Sequence, residues 1–132
     1  MDLTSIELPG SMITAIKIVD DDVRIRFEPA YLIKTMTGSE ERTKWRQNIE
    51  LLFENAELLE GGTLELPATC NGGDVGENIY TYRDMIPVPL ESKGQAHCDL
   101  GIEGSTLRLR VQAEAVKLLR EDMPRYIEHL RD

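Results

Sequence analysis

The sequence predicts an all-β protein: an antiparallel two-sheet sandwich or flattened barrel of about seven or eight strands with a short C-terminal helix. Three observations carry that expectation. Val23-Arg-Ile-Arg-Phe alternates apolar and charged residues without a break, the period of a strand with one face in a core and the other in water. Ile49-Glu-Leu-Leu-Phe-Glu-Asn-Ala and, more loosely, Leu107-Arg-Leu-Arg-Val-Gln-Ala echo that pattern. Turn residues punctuate the chain at Pro9-Gly10, Asp20-Asp21-Asp22, Gly61-Gly62 and Glu103-Gly104-Ser105.

Taken in order, Pro9-Gly10 sets the start of the body near Ser11. Met12 to Val19 is apolar and isoleucine-rich, and the three aspartates after it form a hairpin into the strand at Val23. At Pro29 the alternation changes phase, from Phe27 in the odd set to Ala30 and Leu32 in the even set. Proline cannot donate to a ladder, so a bulge is expected there. Thr35 to Thr43 is polar and reads as an exposed loop. Trp45 to Leu59 fits a strand and a helix almost equally well, with Thr43 as a possible N-cap and Gly61 as a stop. Its likeness to the stretch carrying Pro29, which cannot be a helix interior, favours strand; the alternative is an α+β domain with a helix at 44–60.

Gly61-Gly62 suits a tight turn into a strand at Thr63-Leu-Glu-Leu. Pro67 to Lys93 reads as a long irregular region, rich in glycine and proline, with a short strand near Asn78-Ile-Tyr-Thr-Tyr. From Gln95 to Ile102 alternation returns, with Ala96, Cys98, Leu100 and Ile102 on one face. A long bent strand follows from Thr106, although Gln112 to Leu119 has high helix propensity. Asp122 before Met123-Pro124 looks like an N-cap with an early-turn proline, so a short helix is expected over Met123–Leu130.

A chain of 132 residues suits a single domain spanning 1–132 that can bury a core without metals or disulfides. A net charge of −9 argues against nucleic acid and anionic membrane surfaces and leaves room for a protein partner with a basic surface. Met1 to Gly10 lacks the basic and apolar regions of a signal peptide, and no apolar run reaches membrane-helix length. Two cysteines, Cys70 and Cys98, are too few for a disulfide framework. The expectation is a cytoplasmic protein, a monomer or weak homodimer.

No phosphate loop, dinucleotide fingerprint, paired-histidine zinc helix or nucleophile elbow is present. His97 and Cys98 are neighbours in a strand and so point to opposite faces, which speaks against a shared metal ion. Asn71, Asp74, Glu77 and Asn78 miss the spacing of a calcium loop. Neither a metal nor a cofactor is expected. Arg24, Arg26, Arg108 and Arg110 fit cross-strand ion pairs with Glu50, Glu54 or Asp99. The candidate binding residues are Tyr80, Tyr82, Arg83, Asp84 and Met85, types enriched at protein interfaces, beside the proline-rich segment. The residues to watch for an unmarked catalytic site are His97, Asp84 and Glu77.

The aspartate-marked hairpin, the strand ending in Arg-Ile-Arg-Phe, the single Trp45 and the strand ending in Leu-Leu-Phe-Glu-Asn-Ala resemble small single-domain bacterial proteins of unknown function, some of them toxin-neutralising immunity proteins. The resemblance rests on hydrophobic pattern over about half the chain and carries no functional residue with it. It implies an all-β fold. The functional expectation is a non-catalytic protein-binding or accessory domain; the alternatives are a small-molecule-binding β-sandwich and an immunity protein.

Overall fold

The computed structural model describes residues 3–36 and 41–130. Eleven strands run through them in chain order: β1 Leu3–Glu7, β2 Met12–Val19, β3 Asp22–Thr35, β4 Arg42–Glu54, β5 Glu57–Glu60, β6 Ala68–Glu77, β7 Tyr80–Arg83, β8 Met85–Val88, β9 Glu91–Ile102, β10 Arg108–Arg120 and β11 Arg125–Leu130. All pairings are antiparallel. Six strands close on themselves in the order β3-β4-β10-β9-β6-β2, and back to β3. The chain is therefore a closed barrel with outer strands, not a two-sheet sandwich.

The barrel interior follows from the alternation. Val23, Ile25 and Phe27 of β3 face Phe53, Leu51 and Ile49 of β4, and all six are buried. Register slips between Phe27 and Ala30, and beyond the slip it is Ala30 and Leu32 that point inward. The bulge expected at Pro29 is present. It lets β3 bend out of the ring, so that its second half, with β1, β8, the first half of β4 and β11, extends the sheet beyond the barrel wall. In β9 the inward set Ala96, Cys98, Leu100 and Ile102 is buried as expected. The seam is thin: β2 meets β6 through only Met12↔Thr69 and Ile13↔Ala68.

The alternative helix at 44–60 is absent and the favoured strand reading stands: β4 and β5 occupy the stretch, separated at Asn55, which takes a φ of 47°. Several expectations need correction. The expected helix over Met123–Leu130 is strand β11. Asp122 spends its capping groups on β4 instead: its carboxylate accepts the Asn48 amide at 2.9 Å and its carbonyl accepts the buried Gln47 side chain. Tyr126 then packs edge-on against Trp45 at 5.4 Å. The body starts before Ser11, since β1 pairs β3 from Leu3↔Thr35 to Glu7↔Tyr31. Thr63–Leu66 form no strand, only the turn in which Leu64 bonds Gly61. The expected loop over Thr35–Thr43 falls partly outside the described residues.

The region 67–93 is the largest correction, for it holds three complete strands and the start of β9. Two of its glycines mark a bulge rather than a loop. Gly72 and Gly73 take φ values of 118° and 140° where the β6–β9 register slips. A side chain on Gly73 would stand 2.2 Å from the Asp99 carbonyl oxygen, so only glycine lets the strands close at that point.

Candidate functional site

The five candidate binding residues lie along β7, the corner after it and β8, and they do different things. β6 and β7 form a hairpin whose two-residue turn is Asn78-Ile79, with Asn78 at φ 49° as a primed turn requires. Tyr80 and Tyr82 share the core-facing side of β7 with Val75 across from Tyr82. Tyr82 therefore packs on the core and donates its hydroxyl to Glu77 at 2.9 Å, which raises its pKa. Tyr80 stacks on it, centroids 6.5 Å apart, and stays 59% exposed.

Arg83 points to the outer face and forks onto Asp74, at 3.0 and 3.4 Å, holding that carboxyl below its usual pKa. Asp84 is a corner residue. At φ 64° it accepts the Gly73 amide on its carboxylate at 2.9 Å, donates its own amide to Gly73 and accepts the Leu8 amide on its carbonyl. Met85 sits on β8 opposite Glu7, partly exposed and away from the hairpin tip. The tyrosines and Arg83 thus belong to one hairpin, while Asp84 ties the strands together beneath it.

The alternation of the chain does not single out Ile79. It stands at the tip of the hairpin and is 89% exposed. The tip is held rigidly for an exposed turn: Asn78 donates its amide to the Gln95 carbonyl at 2.7 Å, and its side chain reaches Ser92 and the Lys93 carbonyl. Gly94 makes room, since a side chain there would stand 2.1 Å from Asn78 Oδ1. The signal available in sequence was the placement of an isoleucine after asparagine in a two-residue turn, a position where apolar side chains have nothing to pack on.

The outer face of β9 and β10 carries a second cluster. Arg83, Asp74, Asp99, Arg110 and Glu60 stand in one row across β7, β6, β9, β10 and β5. Asp99 takes Arg108 at 2.5 Å and Arg110 at 3.9 Å; on β3, Arg24 takes Glu50 at 2.8 Å. His97 lies flat over Gly76, where a side chain would meet its ring at 2.0 Å, and borders an open groove of about 310 Å³ with Asp74, Asp99 and Arg110. The charges of this groove are largely spent on one another. His97, Glu77 and Asp84 do not converge: Glu77 is engaged by Tyr82, and Asp84 by Gly73.

Cys98 points inward while His97 points out, and both Cys70 and Cys98 are buried free thiols. Burial pushes both thiols up from their usual pKa. Among the described residues, no three histidine, cysteine, aspartate or glutamate side chains gather as a metal site would require. Comparison of the chain with protein-family models, with curated proteins and with solved structures found no match.

Proposed function

We propose that this chain is a small acidic accessory protein that acts by binding another protein, without catalysis, through the β6–β7 hairpin. The observation that carries the reading is the pinned tip: Ile79 and Tyr80 project into solvent from a turn fixed by Asn78 to β9. Apolar and aromatic side chains held rigid before binding lose little entropy on docking, which is how interface anchors work. The net charge of −9 favours a partner with a basic surface, and an immunity protein facing a basic toxin is one member of that class.

A ligand inside the barrel has less in its favour. The interior is filled by one contiguous cluster of apolar side chains, including Phe27, Phe53, Leu100 and Leu109. The grooves that line the protein open at its surface.

The test compares the full chain with Ile79→Asp and Tyr80→Ser as baits in native lysate. A stoichiometric partner captured by the parent and lost from both variants, with Tm unchanged, is the expected result. No stoichiometric partner, or equal capture by all three, would sink the reading.

A further inference from the structure

In the sheet that extends beyond the barrel wall, Arg125 of β11 stands directly across from Arg46 of β4, and Arg46 stands across from Tyr31 of β3. Two like charges opposed in an antiparallel pair repel, and a sheet gains nothing from the arrangement by itself. The setting makes it stranger. The chain has 24 acidic residues against 15 basic ones. Arg24, Arg26, Arg83, Arg108 and Arg110 all pair with carboxylates, Arg120 bonds Gln47, and Arg42 also has a partner. Among the described residues, Arg46 and Arg125 are the only arginines whose side chains have no ion-pair or hydrogen-bond partner.

Two of the nearby acids are committed elsewhere, and Glu128, which lines the groove itself, pairs with neither arginine. Glu28 and Asp122 line the small cleft next to the two arginines, but Glu28 is taken by Arg26 and Asp122 by Asn48. Glu7 pairs Lys44 at 3.5 Å, and Lys44 also lies over the Tyr31 ring at 4.6 Å. The arginines form one wall of an open groove of about 630 Å³ whose other walls include Tyr31, Lys44, Tyr126 and Glu128. That volume suits a small ligand.

We propose that this groove binds a small phosphomonoester, its phosphate between Arg46 and Arg125 and a flat ring against Tyr31. Two guanidinium forks match the nearly two negative charges and several acceptor oxygens of a phosphomonoester better than a single carboxylate does. The ligand supplies the counter-charge that the sheet withholds. The face is distinct from the hairpin, so the assignment stands or falls independently of a protein partner there.

The experiment is calorimetric titration and thermal unfolding of the full chain with inorganic phosphate and with phenyl phosphate at matched ionic strength. Both probes are expected to bind saturably, phenyl phosphate about fivefold tighter through ring contact with Tyr31. Arg46→Gln and Arg125→Gln should each weaken binding about tenfold, as loss of a charge-assisted fork does. Without phosphate, the same variants should melt no lower than the parent, because each removes a repulsion.

Absence of saturable binding, or equal binding by the parent and both variants, would mean an adventitious ion only and overturn the proposal. So would a marked fall in Tm of both phosphate-free variants, which would make the pair a structural element. A phosphotyrosyl peptide binding more than about tenfold tighter than phenyl phosphate would move the ligand to a protein and overturn the small-ligand assignment.

Discussion

The Ser11 hydroxyl accepts a hydrogen bond from the backbone amide of Tyr31 at 3.0 Å and donates one to the Glu7 carbonyl at 2.7 Å. Ser11 is completely buried, and its backbone also exchanges hydrogen bonds with Leu8 and Cys70. It joins β1, β3 and β6 at the place where the bulge after Phe27 interrupts the ladder. Ser11→Ala therefore leaves a partly buried amide and a partly buried carbonyl short of a partner. The expected cost is about 1–3 kcal/mol, with a fall in Tm of at least about 4 °C. Thermal melts that coincide with the parent would show that the hydroxyl has no such role.

Among the described residues, Gln47 is the other buried polar side chain, 3% exposed. Its oxygen accepts Arg120 Nε at 2.9 Å and its amide donates to the Asp122 carbonyl, so it fastens the turn that leads into β11. β11 otherwise pairs only β4 and forms an edge of the sheet. In Gln47→Ala, hydrogen exchange at Tyr126–Leu130 should accelerate markedly, while the amides of Cys98–Ile102 keep their protection, since edge strands open locally before the barrel does. Uniform acceleration across both strands would place Gln47 in the global core instead.

Much of the barrel wall was legible because burial on one face imposes a period of two. Val23 to Phe27, Ala96 to Ile102 and the phase change at Pro29 all carried that imprint, and Phe27 and Phe53 are buried as it required. The readings that failed depended on contacts distant in the chain. Asp122-Met123-Pro124 carries a helix-start signature, but Gln47 and Asn48, some 75 residues earlier, claim its polar groups. Asn71 to Gly76 has the composition of a loop, yet its glycines sit in a strand because β9 and Asp84 approach too closely for any side chain. Closure of the ring rests on two residue pairs between β2 and β6 and on the backbone bonds of Gly10 and Ser11 to Cys70, which no local pattern announces. Of the candidate site, residue type alone picked out the tyrosines and Arg83; the exposure of Ile79 and the facing of Arg46 and Arg125 required the register.

Gly73 and Gly104 separate two reasons for glycine. Both have positive φ, 140° and 74°. A side chain at Gly73 would collide with the Asp99 backbone, whereas nothing lies within 4 Å of one at Gly104. Gly104→Ala should cost about 1 kcal/mol, the backbone strain alone. Gly73→Ala should cost more than about 3 kcal/mol, because two backbones must part as well. Chemical denaturation of both variants gives the comparison, and equal midpoints would mean that β6 and β9 yield easily at the bulge.

Cys70 and Cys98 are both buried thiols whose ionisation burial disfavours. Thiolate is the reactive form, so neither should react with an aromatic disulfide reagent in the native state near pH 8. Both should react when denaturant unfolds the barrel, at a rate that tracks unfolding. Rapid native-state labelling of either one would show that its strand opens frequently.

The Arg83–Asp74 pair offers a pH signature for the hairpin. The guanidinium hydrogen bond holds the Asp74 carboxyl below its ordinary value of 3.8 in the folded chain. A carboxyl with a depressed folded pKa contributes stability at every pH above the unfolded value, and that contribution disappears as pH falls through the folded value. Arg83→Gln removes the hydrogen bond and lets the Asp74 pKa return upward. The variant's deficit should be constant from about pH 7 down to about pH 5, then shrink below about pH 4 until the two proteins coincide. Arg83 is 77% exposed at its side chain, so the deficit is small and shrinks further with added salt. Denaturant midpoints measured across that range at low ionic strength provide the test; a deficit that widened in acid would mean that Arg83 acts on stability through packing rather than through Asp74.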